Sequence, residues 1–581
     1  MADADNTLVH KLLEQCYALP AIKMALQDEI VAARGAVDVR AAVAAVAATS
    51  PAANLVRNAA HAAAQRLPGG AAAAPQILQP AAGATQADNP EAAAALAAAR
   101  ARWQRLIERR LLAAQSLLPE VPLAAEPRSE EEVQRLRRQV PHLTETWERV
   151  GSSASPFTGG LHELAPDILK LLYDSSDLLE AISSSANARR WLVAGAAAAR
   201  GSLLWAVRAP SRPWLQSFFA DLRADLRQVG LDDELHPWFR EQQVAQARRA
   251  LASGSAAACR AAARTGLPPS ERPAAWACAL GLPPPAGGGG GSGGWEAGSG
   301  NGAQQQQQQQ QQREGTRPPG VGLGCYAPSA RDEGVFRLLC EGAERQALLA
   351  DALSLADACG VADSEHYFPF AEAVRAMVLA FSRDASICRN ARATPLPRLA
   401  SEGRGGRLRA YPPSGVLPFC GLAALAAPVA SLYRSPTAAY RVFSALYCRH
   451  WSALHGLGGS GAPAPGTAVL CRTFVDLLEE LDPEVARHLD AIGLPALEVA
   501  FPWMYGAFAA HLPPREALLL WDRVIGFDSL LPLPLLAVAV LTFRRDLILS
   551  AASPDELSEA VEDLGQLRVV PLLQALLFDA P

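Results

Sequence analysis

Lysine is almost missing from this 581-residue chain: it stands only at Lys11, Lys23 and Lys170, so nearly all positive charge is arginine. The formal net charge of −5 leaves no basic footprint of the kind that a general nucleic-acid surface needs, and no nucleic-acid partner is expected. Aromatic residues supply only 6%, and β-branched strand formers are sparse beside Ala and Leu, which lead the helix propensities. The expected fold class is all-α. The ten cysteines form no C-x-x-C pair, which argues against a zinc ribbon or a disulfide framework. They read as small core residues of a reducing compartment.

Other absences narrow the chemistry. The acidic start Met1-Ala-Asp-Ala-Asp lacks the basic segment and apolar run of a signal peptide. The two most apolar stretches, 191–207 and 530–543, carry Arg200 and two prolines respectively, so neither is expected to span a bilayer. A cytoplasmic location without direct membrane insertion follows as the expectation. No H-E-x-x-H, G-x-S-x-G, Rossmann fingerprint or P-loop is present, and no metal or cofactor is expected. The glycines at 456–461 read as a plain loop, because no Gly-Lys-Ser/Thr follows. His450 and His455, five apart, would diverge by about 140° on a helix. They are read as ordinary, partly exposed histidines.

What is present is apolar text, 50% of the chain, enough for large cores. Residues 1–125 read as an Ala-rich helical region with flexible breaks, including a good helix over 91–112. Residues 126–260 read as a second helical region, with amphipathic helices over 165–179 and 214–229. A Pro/Gly/Gln-rich insertion follows at 283–320, with nine glutamines from Gln304 to Gln312. Downstream, Phe474, Leu477, Leu478 and Leu481 lie on one helix face. Ser553-Pro554-Asp555-Glu556 has the cap, proline and acids of a helix start. Residues 551–581 are expected to be helical.

Three stretches carry a resemblance. The first runs Arg264-Thr-Gly-Leu-Pro-Pro-Ser-Glu-Arg272-Pro-Ala-Ala-Trp276-Ala-Cys-Ala-Leu280-Gly281. The second is Phe474-Val-Asp-Leu-Leu-Glu-Glu-Leu481-Asp-Pro483, followed by Phe501-Pro-Trp503-Met-Tyr-Gly-Ala-Phe508. The third is Leu518-Leu-Leu-Trp521-Asp522-Arg-Val-Ile. Their order and spacing resemble the TBC domain, the Rab GTPase-activating fold, over 264–550. That resemblance implies a two-lobed helical domain, preceded here by a separate helical region, and a GTP-bound Rab-type GTPase as partner. Trp276, Trp503 and Trp521 read as packing anchors, and Arg272 and Asp522 as structural motif residues, with Arg272 expected in an internal Arg–acid or Arg–backbone bond.

The family's chemistry, as the resemblance implies, needs an arginine from Ile-x-x-Asp-x-x-Arg and a glutamine from Tyr-x-Gln-Gly, supplied in trans to the GTPase. The best matches place Asp357 on the motif aspartate, Gly360 on the arginine and Cys420 on the glutamine, and Asp357, Arg375, Arg383 and Arg404 are the candidate contacts to the GTPase. No arginine occurs from 346 to 374, and no glutamine from 347 to 565. A thiol cannot reproduce an amide's paired donor and acceptor. The expected protein is therefore a GTPase-binding regulator of membrane traffic, not itself an enzyme, with both fingers missing. Two other readings stay open: a working activator in which Arg375, Arg383 or Arg404 substitutes, and an all-helical scaffold whose TBC fold is structural. Any presence on endomembranes would then come through the GTPase.

Overall fold

The computed structural model describes residues 20–36, 39, 41–42, 90–117, 172–183, 203–282, 326–345, 349–392, 412–456 and 466–579. Every regular element among them is helical, and strand-type pairing is confined to two isolated bridges, Tyr173 with Phe419 and Val229 with Leu231. The all-α expectation is met. The insertion at 283–320, the loop at 457–465 and Arg404 lie outside the described residues.

Local chemistry sets many of the helix ends. Ser255, Ser435, Asp482 and Ser553 each stand before a first turn and accept a hydrogen bond from the backbone N–H three residues on. Prolines follow three of them at the first helical position, where the missing N–H costs nothing. Gly493 closes the helix Pro483–Ile492 at φ 86°, a conformation that glycine reaches without steric cost.

The alanine content becomes packing. The helix Ala256–Arg264 crosses Pro514–Phe527 so closely that a Cβ on Gly526 would lie 2.5 Å from the backbone N of Arg264. Such an approach is open only to small side chains. One connected apolar core runs from Leu26 to Leu577. The N-terminal helices Pro20–Ala33 and Pro90–Leu117 share it rather than standing apart, through Leu26, Ile30, Trp103 and Ile107. Lys23 pairs with Glu372 at 2.7 Å, and Arg34 donates to the Ser270 carbonyl.

Two local expectations need correction. The stretch 214–229 is a short helix, Arg212–Phe218, followed by a 3-10 turn at Ala220–Leu222 and loop. Tertiary bonds override its periodicity: the Gln228 amide donates to the Asp221 carbonyl, and Phe219 packs on Phe527 at 4.7 Å. His450 and His455 are buried, at 1% and 0% exposure, because the helix ends at Arg449 and a 3-10 turn folds both inward.

Candidate functional site

The aspartate singled out in the sequence proves to be a clamp. Asp357 lies on the helix Leu349–Ala362, buried, and its carboxylate accepts from the backbone N–H of Gly421 at 2.7 Å and of Ala423 at 2.6 Å. These N–H groups open the helix Leu422–Ala430, where a carboxylate meets otherwise unpartnered donors and the positive dipole end. Burial pushes the Asp357 pKa up to about 6, and the two N–H bonds pull against that rise. The clamp fixes the loop bearing Cys420 against the helix bearing Gly360.

At the two candidate positions the surroundings differ. Gly360 is exposed, and a Cβ there would meet no atom within 4 Å. Cys420 is half-buried; its thiol is pushed up to about 12 by burial, then by the charges of Asp357 and Asp174, and stays protonated at neutral pH. A side chain added at 360 would point into open space. The thiol at 420 supplies no strong donor–acceptor pair.

The arginines proposed as substitutes are placed unequally. Arg375, on Ala371–Arg383, lies against Cys359, the neighbour of Gly360; burial pushes the Cys359 thiol up and Arg375 pulls it partly back. The Arg375 Nε and Nη2 are buried without a hydrogen-bond partner among the described residues. Arg383 instead grips Asp351, with Nη2–Oδ2 at 2.6 Å and Nε–Oδ1 at 3.2 Å, both side chains buried. That guanidinium is committed inward and does not fit a contact with a GTPase. Arg404 is outside the described residues.

The structural motif residues converge elsewhere, in the core. Arg272 Nη2 lies 3.0 Å from Asp522 Oδ2 and also donates to the Leu267 carbonyl at 2.9 Å. Trp276 Nε1 donates to Asp522 Oδ1 at 2.8 Å, and Leu267 N to Oδ2 at 3.0 Å. Trp276 stacks on Trp521, whose Nε1 donates to the Ala507 carbonyl at 2.9 Å. Trp503 is buried beside Phe508. A fully buried carboxylate thus receives donors from three residues, which is what such a charge requires.

One contributor escaped the sequence reading. Tyr173 is buried beneath the Cys420 loop: its carbonyl accepts from Cys420 N at 3.0 Å, its OH donates to the Leu417 carbonyl at 3.1 Å, and its ring meets Phe419 and Trp103. The expected helix over 165–179 hid it. The helix starts at Ser175, where Asp174 accepts from Ser176 N and Asp177 N while Asp177 accepts from Asp174 N. That reciprocal Asp-Ser-Ser-Asp cap was the available signal. Among the described residues no His/Cys/Asp/Glu group is arranged to hold a metal, and no helix is long and apolar enough to cross a membrane.

With the geometry in place, comparison with known proteins adds three findings. Residues 419–549 match the family model of the Rab-GTPase-TBC domain. Cys420 falls inside that match and Gly360 does not. The chain is 29% identical over 378 residues to human TBC1 domain family member 19, covering 63% of this chain and 62% of that protein. A crystal structure of the Chlamydomonas flagellar RabGAP TBC domain aligns with a TM-score of 0.30 and 15% identity, over 48% of this chain and 91% of that one.

Proposed function

We propose that the chain, whose residues 419–549 match the family model of the Rab-GTPase-TBC domain, docks on a GTP-bound Rab-type GTPase as a non-catalytic binding module in membrane traffic. One observation carries this reading. The Asp357 clamp holds the loop and the helix together, while the two positions the family would use toward nucleotide bear Gly360 and Cys420. The scaffold is kept and the reactive side chains are not. A hydrogen atom and a protonated thiol cannot neutralise charge on a transferring phosphoryl group or orient a water.

Restoring the two side chains tests the reading. Gly360→Arg with Cys420→Gln, added to a Rab that the wild type binds, is expected to accelerate single-turnover GTP hydrolysis tenfold or more over the wild type. Acceleration by the wild type equal to that of the double variant would overturn it. The alternative, an all-helical scaffold, draws on the Tyr173–Trp103 packing beneath the same loop. It predicts no Rab binding at all.

A further inference from the structure

A cleft of about 510 Å³ is lined by residues of the helices Ala385–Asn390 and Pro436–Arg449 together with Asp528, Leu280 and Leu282. Nothing in the family chemistry above uses it. Three arginines, Arg392, Arg441 and Arg449, are among its lining residues. Arg449 holds Asp528 through Nε–Oδ1 at 2.9 Å and Nη2–Oδ2 at 2.7 Å, which leaves Nη1 for another acceptor. Arg441 Nε lies 3.1 Å from Asp332, outside the lining. Arg392 is exposed and has no ion-pair partner among the described residues. Three arginines against the carboxylates Asp528 and Asp332 leave one positive charge in excess, with Arg392 acting on Asp528 from beyond ion-pair distance. Beside it, His450 is buried 3.7 Å from Asp528, with Nε2 lacking a hydrogen-bond partner.

The rest of the lining is both polar and apolar. Ser386, Asn390 and Ser444 offer hydroxyl and amide groups, and Asp528 offers acceptor oxygens to a hydroxyl. Ile387, Ala445 and Cys448 add to the apolar side. A ligand that fits carries an anionic group for the arginines, hydroxyls for Asp528 and Asn390, and an apolar body for Leu280 and Leu282. Pockets of this size hold small molecules, and planar guanidiniums match phosphate oxygens in pairs. From these lining groups and the Arg449–Asp528 geometry we propose that the cleft binds a nucleoside phosphate: phosphate on Arg392 and Arg449, ribose hydroxyls on Asp528, base against Leu280 and Leu282. The site belongs to this chain alone and needs no GTPase.

Calorimetric titration of the full chain, with no GTPase present, tests it using ADP, GDP, inorganic pyrophosphate and adenosine as probes. Saturable binding of ADP or GDP is expected, at least tenfold tighter than pyrophosphate or adenosine. Arg392→Glu should weaken it tenfold or more, with an unchanged circular dichroism spectrum, and Arg392→Lys should weaken it less, keeping the charge but losing the paired contact. Arg434→Glu, which alters a surface arginine paired with Asp28 on the N-terminal helix, should leave it unchanged. No saturable nucleotide binding would overturn the proposal. So would pyrophosphate binding as tightly as ADP, or Arg392→Glu and wild type binding alike.

Discussion

At the scale of single residues, the position with most to reveal is Asp357. Removing its carboxylate in Asp357→Ala leaves the Gly421 and Ala423 N–H groups buried without acceptors. Each such loss costs about 1–3 kcal/mol, so urea unfolding should show a destabilisation of about 2–5 kcal/mol. Gly360 is the opposite case. Its helical backbone and open surroundings accept a side chain, and Gly360→Arg should raise stability by about 0.5–1 kcal/mol through helix propensity alone. A variant that unfolds more readily would show that position 360 is more confined than its surroundings indicate. Asp357 was legible because it matches the aspartate of the resembled motif, whereas its burial was not. The two N–H groups it holds were not, since nothing in residues 421–423 names a partner 64 positions away.

At the scale of elements, the helix pair Arg272–Ala279 and Pro514–Phe527 is joined by a buried ion pair. Arg272→Ala strands the Asp522 charge and should cost about 3–5 kcal/mol. The double variant Arg272→Met with Asp522→Leu should cost clearly less than the sum of the two singles, since no charge is left buried alone. Additive losses in a double-mutant cycle would argue against direct coupling. Helix starts were read well from sequence: Ser553 caps Pro554–Glu562, and Phe474, Leu477 and Leu478 are buried on one face. Periodicity failed over 214–229, where Phe219 and Gln228 answer to distant partners. It failed again at Tyr173, whose role depends on Phe419 and Leu417, some 240 residues away. Tyr173→Phe removes one buried hydroxyl bond and should cost about 1 kcal/mol.

Across the whole molecule, the shared core ties the N-terminal helices to the C-terminal half, so its stability should respond to pH as one unit. His450, His455 and His511 are held neutral mainly by desolvation, with pKa values pushed down to about 3 for His450 and His511 and well below the ordinary value for His455. In the unfolded chain each would take up a proton near its ordinary pKa of about 6.5. The unfolded state then binds more protons as pH falls below that value, and stability drops by up to about 1.4 kcal/mol per pH unit for each histidine. Asp357 opposes this weakly: its raised pKa means the folded state is favoured as pH falls from about 6 toward 4. Urea unfolding at pH 7.5, 6.5 and 5.5 should show the decline, and His450→Gln should shallow it. A flat profile would mean that the histidines are not held neutral.

The most direct measurement is single-turnover GTP hydrolysis by a panel of purified Rab proteins, with and without excess chain, beside a binding assay on the same panel. Binding of at least one GTP-loaded Rab with no acceleration is the predicted result. Acceleration by the wild-type chain of about tenfold or more would contradict it, and would direct attention to Arg375 beside Gly360.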